Sequence, residues 1–346
     1  MNKKSKAQPI GSKNLSRRYI GVDIGKSSFF VAFPQTNLRG KRTYQVKTYA
    51  NTTKGIRQLM TELTKGVDHC VMEATGNYSL ELSYTLSAKG HLVSVENPKR
   101  VKHFAKLMLS TVKTDKQDAQ LLSLFGQQIK PQLFVPKSKN LLLLKQKRQL
   151  LTQLQTKRTA FNNMKDALTA QIYPDASTKQ HLSEVLSFLD EKIKALKKEL
   201  VSISKKEFEQ QYRLLLTIPG IGARLATALI EVTNGFTSFD NAKQLAKFIG
   251  IAPTYFQSGS SLNLKGSINR AGNNEIRSVL YMSSLSAFQK NPPCKALYNR
   301  LKEAKKPSKL ALVAVMHKLI RQAFGVVKSQ QPFDADYVHG LKPKTT

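Results

Sequence analysis

Between Gly126 and Gly220 the chain has no glycine, and after Pro136 only Pro174 interrupts the stretch before Pro219. Without the residue that relaxes the backbone, and almost without the one that breaks helices, this stretch is confined to long helices with one break. Past the break, Leu182, Leu186, Leu189, Ile193, Leu196, Leu200 and Ile203 keep a 4,3,4,3 spacing, the pattern of a coiled-coil seam. Tyr173-Pro174-Asp175 predicts the turn of a helical hairpin. The first arm, Leu141 to Ile172, carries a looser stripe of Leu144, Leu151, Leu154, Phe161, Leu168 and Ile172, interrupted by Lys147, Arg158 and Lys165. Such a seam pairs with its own other arm or with another protomer; the second is favoured here, giving a homo-oligomer (dimer or tetramer).

The segment before it has a different rhythm. Tyr19 to Ile24, Ser28 to Phe33 and Thr43 to Thr48 read as strands joined by turns at Gly25-Lys26 and Leu38 to Lys41. Thr53 to Leu63 follows as a helix with Asn51 to Thr53 as cap candidates. Then come a strand at Asp68 to Glu73, a helix at Asn77 to Lys89 and a strand at His91 to Val95. The order βββαβαβ predicts a mixed α/β domain with its sheet between helices. From Leu214 to about Val327 a third, mostly helical region carries glycine-dependent motifs. The expected division is a basic arm over 1–18, the α/β domain over 19–136, the helical hairpin over 137–212, a C-terminal domain over 213–327 and a loose tail over 328–346.

Charge narrows the partners. Over 346 residues, 56 Lys and Arg stand against 22 Asp and Glu, a formal net charge of +34. A chain this basic repels itself unless a polyanion is present, and nucleic acid is the abundant intracellular one. The 40% share of hydrophobic residues excludes wholesale disorder. No run of about 18 apolar residues is expected to span a membrane; Leu310 to Ile320 is short and carries His317 and Lys318. Met1 to Arg18 is basic, but the hydrophobic stretch after it is broken by Asp23 and Lys26, so no secretory signal and a cytoplasmic location are expected. Cys70 and Cys294 lie far apart with no CxxC pair, against a disulfide framework or a thiolate zinc site.

Three constellations carry possible chemistry. Asp23 and Glu73 each end an apolar strand, where a carboxylate is costly unless it binds something, and Asp115 and Asp118 are three apart on one helix face. Convergence of the four would present hard oxygen ligands suited to Mg²⁺ and to clamping a phosphodiester; the plainer alternative is a capping Asp115 and an ion-paired Asp118. Pro219-Gly220-Ile221-Gly222, followed by Arg224, resembles the turn of a helix-hairpin-helix motif, whose glycine amides approach a DNA phosphate; a ligand-free αα-turn is the alternative. Residues 252–277, rich in Ser, Gly and Asn and carrying Lys265, Arg270 and Arg277, read as a solvated phosphate-binding loop or, more sharply, as the seat of a nucleophilic serine, with Ser258, Ser260 and Ser261 all candidates. His69, His91, His103 and His317 show no metal-ligand spacing.

Taken together, Val22-Asp-Ile-Gly-Lys26, Met72-Glu-Ala-Thr-Gly76, Lys113-Thr-Asp-Lys-Gln-Asp-Ala-Gln120, Pro219-Gly-Ile-Gly222, Gln257-Ser-Gly259, Lys265-Gly-Ser-Ile and Ala271-Gly-Asn resemble the IS110/IS1111 family of transposases, which includes the Piv-type DNA invertases. The resemblance runs from about residue 19 to 325. It implies a RuvC-like RNase H fold domain whose DEDD acids map to Asp23, Glu73, Asp115 and Asp118. It also implies a C-terminal transposase domain whose catalytic serine falls on Ser258. The family implies Mg²⁺ at the acids (Mn²⁺ as a substitute), a phosphoserine link to DNA, an element-encoded bridge RNA in some members and coiled-coil oligomerisation. Lys113, Lys116, Pro219, Gly220, Gly222, Arg224, Lys265, Arg270 and Arg277 would contact nucleic acid. Thr254 and Tyr255 depart from the basic residue that many relatives carry after the proline. The rival readings are a RuvC-like junction resolvase, which leaves the Ser-Gly block idle; a non-catalytic nucleic-acid binder, which leaves Asp23 and Glu73 unexplained; and an actin-like or sugar-kinase ATPase, which lacks its second phosphate loop.

Overall fold

The computed structural model describes residues 17–109, 114–258, 262–268 and 272–336. They form two compact units divided between Pro136 and Lys137.

In the first unit, β1 (Arg18–Ile24), β2 (Ser28–Thr36) and β3 (Arg42–Ala50) form the expected meander. They are followed by α1 (Thr53–Glu62), β4 (Asp68–Glu73), α2 (Leu80–Ala88), β5 (Leu92–Glu96), α3 (Pro98–Leu107) and α4 (Asp115–Ile129). The five strands lie in the order β3-β2-β1-β4-β5. The meander is antiparallel, and β4 and β5 run parallel to β1, an arrangement consistent with a RuvC-like domain. Because side chains alternate along a strand, each face has its own core. Ile20, Val22, Phe29 and Met72 pack with Ile56 and Leu59 of α1 and Leu82 and Leu86 of α2. Tyr19 and Val71 pack with Val101 and Phe104 of α3 and Leu122 and Phe125 of α4. Two details differ from expectation. Thr52 alone among the candidates caps α1, its hydroxyl accepting from the Gly55 amide at 3.3 Å. Helix α2 begins at Leu80 and not Asn77, because Gly76 takes φ +60° and starts a turn.

The second unit opens with α5 (Lys139–Thr169) and α6 (Ala176–Leu216), the two arms of the hairpin. Asp175 caps α6, accepting from the Thr178 amide at 2.7 Å. The arms pair with each other within one chain. Leu182, Leu186, Leu189, Ile193, Leu196 and Leu200 are buried without a second protomer, and Arg158–Asp190 (2.7 Å) and Lys147–Glu199 ion pairs join the arms. The expectation that this seam pairs with another protomer is thereby corrected: α5, despite its irregular stripe, fills it. Nor is the hairpin a free-standing piece. Leu141, Leu144, Leu151, Ile193, Leu196 and Leu200 belong to the same core as the helices that follow, and the expected boundary near 212 falls inside α6. A kink marks the change of surroundings: Phe208 leaves helical geometry (φ −128°, ψ 38°), and its ring fills the space a Cβ on Gly235 would need.

Next come α7 (Ala223–Thr233), α8 (Ala242–Ile249), β6 (Pro253–Ser258), β7 (Leu262–Ile268), α9 (Asn274–Lys290), α10 (Pro292–Glu303) and α11 (Ser308–Ser329). Helix α11, which contains the Leu310 to Ile320 stretch, is long and apolar enough to cross a membrane by length and composition alone. Its apolar side chains, including Ala311, Val315, Leu319, Ile320 and Ala323, are spent in the core of this unit. The end of the described chain is also less loose than expected: the Phe333 amide donates to the Thr217 hydroxyl at 2.9 Å. Cys70 and Cys294 are buried free thiols.

Candidate active site

Asp23 sits one residue from the end of β1, and Glu73 is the last residue of β4. The two strands are parallel neighbours in register, Val22 opposite Met72, so both carboxylates emerge at the same edge of the sheet. Asp115 and Asp118 occupy the first turn of α4, capped by Thr114, whose hydroxyl accepts from the Gln117 amide at 3.3 Å. The alternative of Asp115 as the capping residue therefore does not hold.

Helix α4 is seated on β1 by small residues. A Cβ on Gly21 would overlap the backbone of Ala119 and Ser123. The Ser123 hydroxyl donates to the Tyr19 carbonyl at 2.6 Å. A Cβ on Gly126 would come within 2.8 Å of the Tyr19 and Val71 side chains. Four helix residues rise about 6 Å and two strand residues about 6.6 Å, so pairing Ser123 with Tyr19 and Ala119 with Gly21 carries the first turn of α4 to Asp23. The electrostatics agree with this placement. The Asp23 carboxyl is pushed up to about 6, first by burial and then by the negative charge of Asp118, Asp115 and Glu73.

The loops flanking the two strand acids are tied together by Asn51, whose side-chain amide donates to the carbonyls of Gly25 (3.0 Å) and Tyr78 (3.2 Å). Sequence reasoning offered Asn51 as a helix cap and missed this role; no local pattern announces it. Thr75, two residues beyond Glu73, encloses its hydroxyl without a hydrogen-bond partner among the described residues.

Four carboxylates, hard oxygen donors in mutual repulsion, suit a divalent cation, which would relieve the penalty on Asp23. Among the described residues, no three His, Cys, Asp or Glu side chains stand ready to enclose an ion, so the fit is one of donor chemistry and charge, with closure left to binding. His69 is engaged elsewhere: it is buried, its Nε2 lies 2.8 Å from the Ser94 hydroxyl, and burial pushes it down to about 4.

In the second unit the expected Ser-Gly-Asn loop is largely a β-hairpin. Strands β6 and β7 pair antiparallel, with Thr254 and Tyr255 on β6 and Lys265 on β7. Ser258 is the last residue of β6, paired with Leu262. Thr-Tyr-Phe-Gln and Leu-Asn-Leu carry the strand signal, which the surrounding Ser and Gly outweighed. Ser260, Ser261, Arg270 and Lys113 lie outside the described residues. Arg277 is engaged structurally, donating to the Ile249 carbonyl (3.0 Å) and to Asn274 Oδ1 (2.8 Å). Lys116 and Arg224 are exposed. Pro219, Gly220 and Gly222 form the turn between α6 and α7, and the Pro219 carbonyl accepts from Asn291 Nδ2 at 3.1 Å.

Residues 20–174 match the DEDD transposase model of the IS110 group, and residues 212–299 match the model described as Transposase IS116/IS110/IS902 family. The chain is 32% identical over 332 residues to the pilin gene-inverting protein of Moraxella bovis, covering 92% of this chain and 98% of the relative. It is 33% identical over 332 residues to that of Moraxella lacunata, with the same coverage. An uncharacterized 43.6 kDa protein of insertion element IS110 from Streptomyces coelicolor is 26% identical over 129 residues, 37% of this chain and 32% of that protein. The chain belongs to the IS110 family of transposases.

Proposed function

We propose that the chain cuts and rejoins DNA, with Asp23, Glu73, Asp115 and Asp118 as the metal-binding acids and Ser258 as the nucleophile. What supports this reading is the placement of Asp23 and Glu73 on neighbouring parallel strands, with Asp115 and Asp118 in the first turn of the helix seated on β1, where burial and then the negative charge of Asp118, Asp115 and Glu73 push the Asp23 carboxyl up to about 6. Mg²⁺ or Mn²⁺ bound there supplies stabilisation of the charge that develops on a phosphoryl group. The Ser258 hydroxyl gives up its proton and its oxygen attacks phosphorus. One phosphorus–oxygen bond of the strand breaks, its oxygen leaves as a strand-end hydroxyl, and the strand is held as a phosphoserine ester. Attack by the hydroxyl of another strand end reverses the step and frees the serine. Near-full-length similarity to two pilin gene-inverting proteins supports an exchange that rejoins every end.

Lys113, Lys116, Lys265, Arg270, Arg277 and the Pro219–Gly222 turn with Arg224 would hold nucleic acid: the DNA and an element-encoded bridge RNA. Assembly into a dimer or tetramer belongs to the same proposal, through surfaces other than the closed seam of α6.

The test is to incubate the protein with DNA flanking its own gene and Mg²⁺, denature, and map any covalent adduct. An adduct on Ser258, lost in Ser258→Ala while DNA binding persists, is expected. Recombination persisting in Ser258→Ala overturns the assignment.

A further inference from the structure

The two glycines of the Pro219–Gly222 turn differ in kind. Gly220 has φ +100°, and a Cβ there would stand 2.5 Å from the Cβ of Ala287, so the fold itself demands glycine. Gly222 has φ −94° and ψ 177°, open to any residue, and a Cβ there would meet nothing within 4 Å. It also serves as the N-cap of α7 without a side-chain hydrogen bond, at a position where Ser, Asp or Asn leads and glycine is accepted. No contact among the described residues requires it.

Gly222 lines a groove of about 470 Å³ together with Arg224 and with Ser283, Ser286 and Lys290 of α9. Both cations are exposed, both serines are half-buried, and no acid is among the described residues lining it. Two cations and two hydroxyls beside backbone amides left open by a missing Cβ suit a phosphate group. A side chain at 222 would fill the place where that group approaches.

We infer that this groove seats a backbone phosphate of duplex DNA, with Ser283, Ser286 and Lys290 completing a site of which the glycine turn is only half. The choice of DNA rests on the proposed function; the phosphate chemistry rests on the groove. The site is read without reference to base sequence, because none of these groups needs a base edge.

The experiment measures binding of the full chain to a fluorescent duplex of arbitrary sequence, and to an RNA hairpin of equal length, as salt is raised. Gly222→Ser supplies the missing cap, so its melting temperature should hold or rise. Its hydroxyl takes the amides and occupies the cradle, so duplex binding should weaken severalfold. Lys290→Gln should weaken binding on every duplex alike and lower the slope of log affinity against log salt by about 0.9. Duplex binding at wild-type strength in both variants overturns the groove while leaving the proposed chemistry standing. A loss confined to the RNA hairpin overturns the assignment to DNA. A wild-type chain that binds no duplex at all overturns both this site and the function on which it rests.

Discussion

A Cβ on Gly21 would collide with the carbonyl oxygen of Ala119, so α4 and β1 meet backbone to backbone. That contact sets the height of Asp115 and Asp118 beside Asp23. Gly21→Ala forces the helix outward, and overpacking of this kind costs about 1–3 kcal/mol. A thermal melt followed by circular dichroism should fall by about 2–4 °C per kcal/mol, and metal-dependent DNA cleavage should fall with it. An unchanged melt would show that α4 is not seated this way.

Burial and three acidic neighbours push the Asp23 carboxyl up from 3.8 to about 6 in the fold. A carboxyl raised on folding contributes stability below its unfolded value and loses it as pH climbs through the folded one. The native chain should therefore lose stability between about pH 4 and pH 6. Asp23→Asn removes the charge, and at pH 7.5 it should be more stable than wild type by roughly 1–2 kcal/mol, allowing for solvent screening of a half-exposed group. At pH 4 the two should match. Denaturant titration at both pH values checks this, and equal stability at pH 7.5 would contradict it.

Much of this site was legible in the sequence. Asp23 and Glu73 stand out because a charged residue closing an apolar strand needs a reason, and the pair Asp115 and Asp118 fits one helical turn. What brings the pair to the strands was not legible. Gly21, Ser123 and Gly126 are spread over a hundred residues, and only the helix-on-strand contact gives them a common purpose. The β6–β7 hairpin was obscured because Ser, Gly and Asn speak for loops while a two-stranded ribbon needs few apolar residues. The self-pairing of the long hairpin stood only as the less favoured alternative, because heptad spacing specifies a seam and leaves its partner open.

Asn51 bridges the loops beyond Asp23 and beside Glu73 through two carbonyls. Asn51→Ala removes two partly exposed hydrogen bonds, so folding stability should change by about 1–2 kcal/mol at most. The rate of cleavage at saturating Mg²⁺ should drop by a larger factor than that stability change explains. Full activity in the variant would reduce Asn51 to a structural tie.

Arg148 of α5 reaches α7 and α9, paired with buried Glu231 at 2.9 Å and with Glu275. Lys137 also approaches Glu231, at 3.6 Å. Arg148→Met strands much of the charge on Glu231 and should destabilise by about 3–5 kcal/mol. Arg148→Met with Glu231→Gln should recover part of the loss, which a double-mutant cycle by urea denaturation measures. Additive losses would mean that the pair is not coupled.

The most direct test of the central claim, that four carboxylates form one metal-seeking site, is the titration of the Asp23 side chain followed by carboxyl ¹³C NMR with and without Mg²⁺. The account predicts a midpoint near 6 that falls when Asp118 becomes Asn and falls further when Mg²⁺ is added. A midpoint in the ordinary aspartate range, near 3.9 and unmoved by either change, would contradict it.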